Sequence, residues 1–143
     1  MGDVRSALFL EACLRGINLA PFLADPELDV NAADADGDTG LLCFLHWVEY
    51  NWMINNIHHL SQFPELILPL LRAGVDPRIE NRQGMNGVDR LRSFWQRLRA
   101  ITGPFQIPRE DDILISGGGG ASKKVVISVR YQGVQEKFVY DER

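Results

Sequence analysis

The sequence predicts a mainly α protein, a short stack of helix pairs followed by a C-terminal β-hairpin tail. Three observations carry that expectation. Apolar residues recur at helical spacing through the first hundred residues, a turn-rich pattern occurs twice 47 residues apart, and beyond a glycine run the apolar residues alternate with a period of two. The length of 143 residues and a hydrophobic content of 45% suit one packed domain and exclude a large multidomain enzyme.

The elements follow in chain order. Ala7, Leu8, Phe9 and Leu10, with Ala12, Cys13 and Leu14, include i, i+3, i+4 and i+7 neighbours, which puts one wide apolar face on a first helix. A turn-rich segment runs from Asp29 to Leu41. It can be laid over Asp76 to Val88, with Asp29 matching Asp76 and Gly37 matching Gly84, each pair 47 residues apart. Between the two copies, Leu66, Leu70 and Ala73 share one helical stripe, widened by Ile67 and Leu71. Pro64 belongs to the first turn of that helix, and Pro69 calls for a kink or a later start. Val88, Leu91, Trp95 and Leu98 make the next stripe. In the tail, Val125, Ile127, Val129 and Tyr131 alternate with Val126, Ser128 and Arg130. Past Gln132-Gly133, a second β-rich run extends to Tyr140 and includes Phe138. These alternating residues are the candidates for strand pairing by the tail. A lone hairpin is marginal in water, so it is expected to dock on the helical part, to dock on another chain, or to remain mobile.

The finger Asn31-Ala32-Ala33-Asp34-Ala35-Asp36-Gly37-Asp38-Thr39 resembles the hairpin turn of ankyrin repeats, and the resemblance covers roughly residues 4–102. It implies that Ser6 to Arg15 and Leu19 to Leu28 are the two helices of an N-terminal capping repeat. It also implies that Glu65 to Asp76 is the second helix of the next repeat, ending in a Gly-x-Asp turn. Two departures stand out. The usual Thr-Pro-Leu-His opening reads Thr39-Gly40-Leu41-Leu42 in one copy and Asn86-Gly87-Val88-Asp89 in the other. The 47-residue spacing exceeds the family period of about 33 by roughly 14 residues, placed around His46 to Phe63. The resulting division is residues 1–103 as an ankyrin-like helical unit, 104–116 as an extended segment, 117–122 as a glycine-rich linker and 123–143 as a β-hairpin or tethered peptide.

Charge is divided along the chain. Fifteen bases against nineteen acids give a formal net charge of −4, without the basic footprint of a nucleic-acid binder. Residues 1–116 hold ten arginines, no lysine and sixteen acids, a net −6, whereas residues 117–143 hold five bases and three acids, a net +2. Two accounts of the tail follow. It is native and adds strands to a partner, or Ser116 to Ser122 is a fusion linker and residues 123–143 are a tethered ligand presented at high effective concentration.

Candidate chemistry is sparse. Asp34, Asp36 and Asp38 lack the glycine and glutamate positions of a calcium loop. They read either as turn residues bonding their own backbone or as an acidic spot for a partner's Arg or Lys. His46, His58 and His59 have no zinc-ligand spacing with Cys13 or Cys43, and Gly117 to Gly120 lack the Lys-Ser/Thr ending of a phosphate loop, so neither metal nor cofactor is expected. Trp47, Tyr50 and Trp52 are packing residues of a long helix or, by the ankyrin resemblance, interface anchors. Arg90, Arg92, Arg97 and Arg99 surround Trp95 and read as a solvated helix face.

The functional expectation is non-catalytic recognition of a protein or peptide, as adaptor, inhibitor or chaperone. The partner-binding residues would be Asp34, Asp36, Asp38, Trp47, Tyr50, Trp52, Arg82 and Trp95, and a basic β-strand segment is one form the partner could take. An immunity factor or secreted effector is a second reading, and a small enzyme using Cys43 and His46 a third. No apolar run reaches membrane-span length and no signal peptide opens the chain, which suggests the cytoplasm.

Overall fold

A computed structural model describes residues 4–16, 19–53, 63–100, 112–117 and 124–140. These hold helices α1 (Val4–Arg15), α2 (Ala20–Leu23), α3 (Gly40–Met53), α4 (Phe63–Arg72) and α5 (Gly87–Arg99). Strands β1 (Asp112–Gly117), β2 (Val125–Tyr131) and β3 (Val134–Tyr140) follow. The three strands form one antiparallel sheet in the order β1-β2-β3. The architecture is therefore a mixed helical and sheet fold, and the expectation of a mainly α stack of helix pairs is corrected.

Two local reasons account for the difference. The expected second helix at Leu19 to Leu28 shrinks to the single turn of α2, because the next residues leave the helix: Asp25 precedes Pro26, and its Oδ1 accepts the backbone N–H of Glu27 at 3.0 Å. At the other end, the hairpin of β2 and β3 forms as its alternation suggests but does not stand alone. β1, drawn from the far side of the glycine run, pairs with β2 so that Ile113 faces Val129 and Ile115 faces Ile127. Gly117 is the last residue of β1.

Helices and sheet share one apolar core. Phe9, Leu41, Leu45, Phe63, Ile67, Leu70, Leu91 and Phe94 are buried in it together with Ile113, Val125, Ile127 and Val129. Tyr131, Phe138 and Tyr140 pack against it from the sheet. Odd-numbered residues of β2 thus line the inner face, as the period of two requires. α4 begins at Phe63 with Pro64 in its first turn and runs through Pro69, which is exposed, so there is no later start.

The helix layer is tight where the two copies begin their helices. A Cβ built on Gly40 would lie 2.6 Å from Phe9 Cε2, and one on Gly87 would lie 2.6 Å from Leu41 Cδ2. Glycine at both positions lets α3 approach α1, and α5 approach α3, closely.

The sheet is tied to the helices by polar links at several points. Trp95 Nε1 donates to Asp112 Oδ1 at 3.1 Å, and Arg92 Nη2 donates to the carbonyl of Gly117 at 2.9 Å, so α5 holds both ends of β1. Arg72 of α4 grips the Glu136 carboxylate of β3 with two nitrogens, its Nε lying 3.0 Å from each oxygen. Arg78 lies over the ring of Tyr140 at 5.8 Å.

Candidate binding surface

The two turn-rich segments fold in the same way, residue by residue. Asp34 Oδ1 accepts the N–H groups of Asp36 and Asp38, both at 2.9 Å. Asn81 Oδ1, 47 positions on, accepts those of Gln83 and Met85, also at 2.9 Å. Backbone bonds close each turn, from Asp34 N to Asp38 O at 3.0 Å and from Asn81 N to Met85 O at 2.8 Å. Gly37 and Gly84 take positive φ of 81° and 78° at the tips, where a side chain would be strained. Thr39 and Asn86 then cap α3 and α5, accepting N–H groups three residues on from Leu42 at 3.5 Å and Asp89 at 2.9 Å.

The fingers lie side by side. Arg82 N donates to Asp36 O at 3.1 Å, and Asn81 Nδ2 donates to Asp38 Oδ1 at 2.8 Å. At their base, Asn31 Oδ1 accepts Asp76 N at 2.7 Å while Asn31 Nδ2 reaches Gly74 O at 3.4 Å. Asp76 is held by Arg78, which keeps its carboxyl below the usual range chiefly through their hydrogen bond.

Behind the fingers, a polar chain crosses from loop to helix to helix. His46 Nε2 lies 3.7 Å from Asp38 Oδ2, and His46 Nδ1 lies 3.1 Å from Arg90 Nη2. A guanidinium can only donate, so a hydrogen bond between these two atoms takes Nδ1 as its acceptor. Glu49 binds Arg90 at 2.6 Å and Arg97 at 2.8 Å, fastening α5 to α3. Tyr50, one helical turn beyond His46 on α3, has 59% of its surface exposed.

The sequence-derived candidates therefore separate into three groups. Asp36, Tyr50 and Arg82 are exposed, and Asp34 and Asp38 are half-buried on the finger. The oxygens of Asp34, Asp36 and Asp38 lie within 4.8 Å of one another, although Asp34 and Asp38 each commit one to a finger hydrogen bond. Trp47 and Trp95 belong to packing. Trp47 is half-buried and packs on Phe44 at 5.8 Å. Trp95 is only 5% exposed, lies 6.0 Å from Phe63, and spends its N–H on Asp112. The side chain of Trp52 lies outside the described residues, as does that of Arg99. Of the tail candidates, Val125, Ile127 and Val129 are buried in this chain's own core, and Tyr131, Phe138 and Tyr140 are partly so.

Arg90 is largely buried and tied to Glu49, whereas Arg92 and Arg97 keep solvent contact while bonding the Gly117 carbonyl and Glu49. The sequence reading passed over Asn31, Asn81 and Glu49, which join the fingers and helices. The 47-residue alignment already placed Asn81 opposite Asp34, and that correspondence was the available signal.

Cys13 and Cys43 are free and buried. Burial pushes both thiols up to about 12, with Asp34 and Asp38 adding to the effect at Cys43. A thiol kept protonated is a poor nucleophile. Among the described residues, no helix is long and apolar enough to cross a membrane. The chain matches no family model and no curated protein.

Proposed function

We propose that this chain is a non-catalytic recognition module that binds a protein or peptide through its paired fingers and the adjoining part of α3. The single observation that carries the reading is the finger pair itself. Two loops 47 residues apart are locked in the same conformation and hydrogen-bonded to each other, so their tips form a surface organised before any partner arrives. Preorganisation of this kind favours binding because little ordering cost remains to be met on association.

The exposed carboxylate of Asp36, the neighbouring Asp34, and the aromatic ring of Tyr50 suit a partner segment that carries Arg or Lys beside an apolar residue. Adaptor and inhibitor roles are both compatible with such a surface. Two free buried thiols favour a reducing, cytoplasmic setting. The enzymatic alternative draws no support from Cys43, whose thiol is buried and protonated.

Selection of a random peptide display library on the intact chain tests the reading. Enrichment of basic peptides on the parent chain, lost with the double variant Asp36→Lys and Tyr50→Ala at unchanged melting temperature, is the expected result. No enrichment, or enrichment indifferent to both substitutions, would overturn it.

A further inference from the structure

β3 is an outer strand of the sheet, since β2 lies between it and β1. Gln132 and Gly133, the two residues that join β2 to β3, take positive φ of 52° and 79°, the pattern of a type I′ two-residue hairpin. Tyr131 and Val134 are therefore a hydrogen-bonded pair, and the ladder alternates from there. Val134, Glu136, Phe138 and Tyr140 spend their backbone N–H and C=O groups on β2. Those of Gln135, Lys137 and Val139 point the other way, to an edge where, among the described residues, no further strand lies. On the side of the sheet that faces the helices, a groove of about 460 Å³ lies between α4 and the start of β3. Leu68, Pro69 and Val134 give it apolar walls, and Glu65 adds one exposed acid. Arg72 and Glu136, which also line it, are matched to each other.

We propose that the outer edge of β3 is a second docking site, distinct from the fingers, and that its occupant is an extended segment of a partner protein added to the sheet as an antiparallel fourth strand. Main-chain hydrogen bonds to Gln135, Lys137 and Val139 supply affinity, and the side chains of alternate residues supply selectivity. Those on the inner face meet Leu68, Pro69 and Val134 in the groove and are apolar. On the outer face the middle position lies beside Lys137. This lysine is exposed and, among the described residues, pairs with no acid; its cross-strand neighbour on β2 is the neutral Ser128. Arg130, diagonal to it, stands opposite Asp112 instead. An acid directly opposite Lys137 in the added strand therefore completes a cross-strand pair. The same lysine argues against a second copy as the occupant. Two β3 strands paired along their full length about a two-fold axis would set Lys137 opposite Lys137, and like charges so placed destabilise a strand pair. Lysine on an edge strand blunts self-association in this way. The strand that fits is another protein's, with an acid at its centre and apolar residues on its opposite face.

The probe is a fluorescein-labelled, end-capped peptide, Val-Thr-Val-Glu-Val-Thr-Val, with the 7 residues of β3 itself. Saturable binding to the full chain is expected by anisotropy, with the amide NMR signals of Gln135, Lys137 and Val139 shifting most and exchanging more slowly with solvent. With the glutamate opposite Lys137, its N–H faces β3, whereas the N–H groups of the valines on either side of it face away. N-methylation of the glutamate should therefore weaken binding about tenfold or more, and N-methylation of one of those valines by less than about threefold. This comparison needs no variant of the protein. Lys137→Glu should weaken binding about three- to tenfold, and a peptide with lysine in place of the glutamate should recover the loss against that variant. Absence of saturation, equal loss on methylation at the two positions, shifts centred on the fingers at Asp36 and Arg82, or a dimer of the chain that itself protects the β3 amides would overturn the proposal.

Discussion

Substitution of Asn81 by aspartate tests the pairing of the fingers at one atom. In the parent chain Asn81 uses its carbonyl oxygen within its own finger and its amide nitrogen on Asp38 Oδ1, 2.8 Å away. The Asn81→Asp variant would keep the first role and invert the second, replacing a hydrogen-bond donor by a second carboxylate. Two unit charges about 3 Å apart repel by roughly 3 kcal/mol at an effective dielectric near 40, intermediate between surface and bulk values. Loss of the hydrogen bond adds about 1 kcal/mol, and rotation of the side chains away from each other removes part of the total. A net destabilisation of about 1–3 kcal/mol at pH 7 is expected, against about 1–2 kcal/mol for Asn81→Ala.

The two variants differ most with pH. A close carboxylate pair holds a proton more tightly in the folded chain than either group does unfolded, so its folded pKa is raised. The folded variant therefore binds more protons, and its deficit relative to Asn81→Ala shrinks as pH falls and grows as pH rises through that pKa. Urea unfolding followed by tryptophan fluorescence at pH 7 and pH 4 measures both quantities. If Asn81→Asp were as stable as the parent at pH 7, or its deficit were independent of pH, the fingers would not be joined as described.

Three further outcomes are expected. Gly40→Ala would drive a methyl group against the fully buried ring of Phe9 and the sulfur of Cys13, costing about 1–3 kcal/mol in thermal unfolding; a neutral result would mean that α1 and α3 are not so close. The Glu136 carboxyl is held below its usual range by the Arg72 hydrogen bond, so this pair contributes stability above the unfolded pKa and loses it as pH falls through the folded value. Both side chains are partly exposed, so Glu136→Gln should remove no more than about 1 kcal/mol at pH 7, and less below pH 4; equal effects at both pH values would count against the pair. Iodoacetamide at pH 8 should leave Cys13 and Cys43 unmodified in the native chain and alkylate both in urea, and rapid native labelling seen by mass spectrometry would contradict their burial.

Much of the local structure was legible because it depends on short-range rules. The 47-residue repeat is visible as Asp29 with Asp76 and Gly37 with Gly84, since a side-chain acceptor bonding N–H groups two and four residues on, with glycine at the tip, is chemistry within one loop. The β2-β3 hairpin was legible from alternation around Gln132-Gly133, both of which take positive φ. The fold class was not. Nothing between Asp112 and Gly117 distinguishes a sheet strand from an extended connection until β2 lies beside it and α5 holds its ends. Tryptophan was ambiguous for a related reason. Trp47 and Trp95 carry the composition of an interface and serve the core, because burial depends on which elements fold over a residue.

What the sequence by itself determined are the two finger turns, the helical stripes and the strand alternation, all products of neighbours within a few residues. What only the tertiary structure decided is their company. It paired Asn81 with Asp38 and Arg72 with Glu136, linked Glu49 to two arginines, and set the sheet against the helices so that one face of the tail is core and the other is open. Those partners lie 41 to 64 residues apart along the chain, a separation that only the packing of the whole core can bridge.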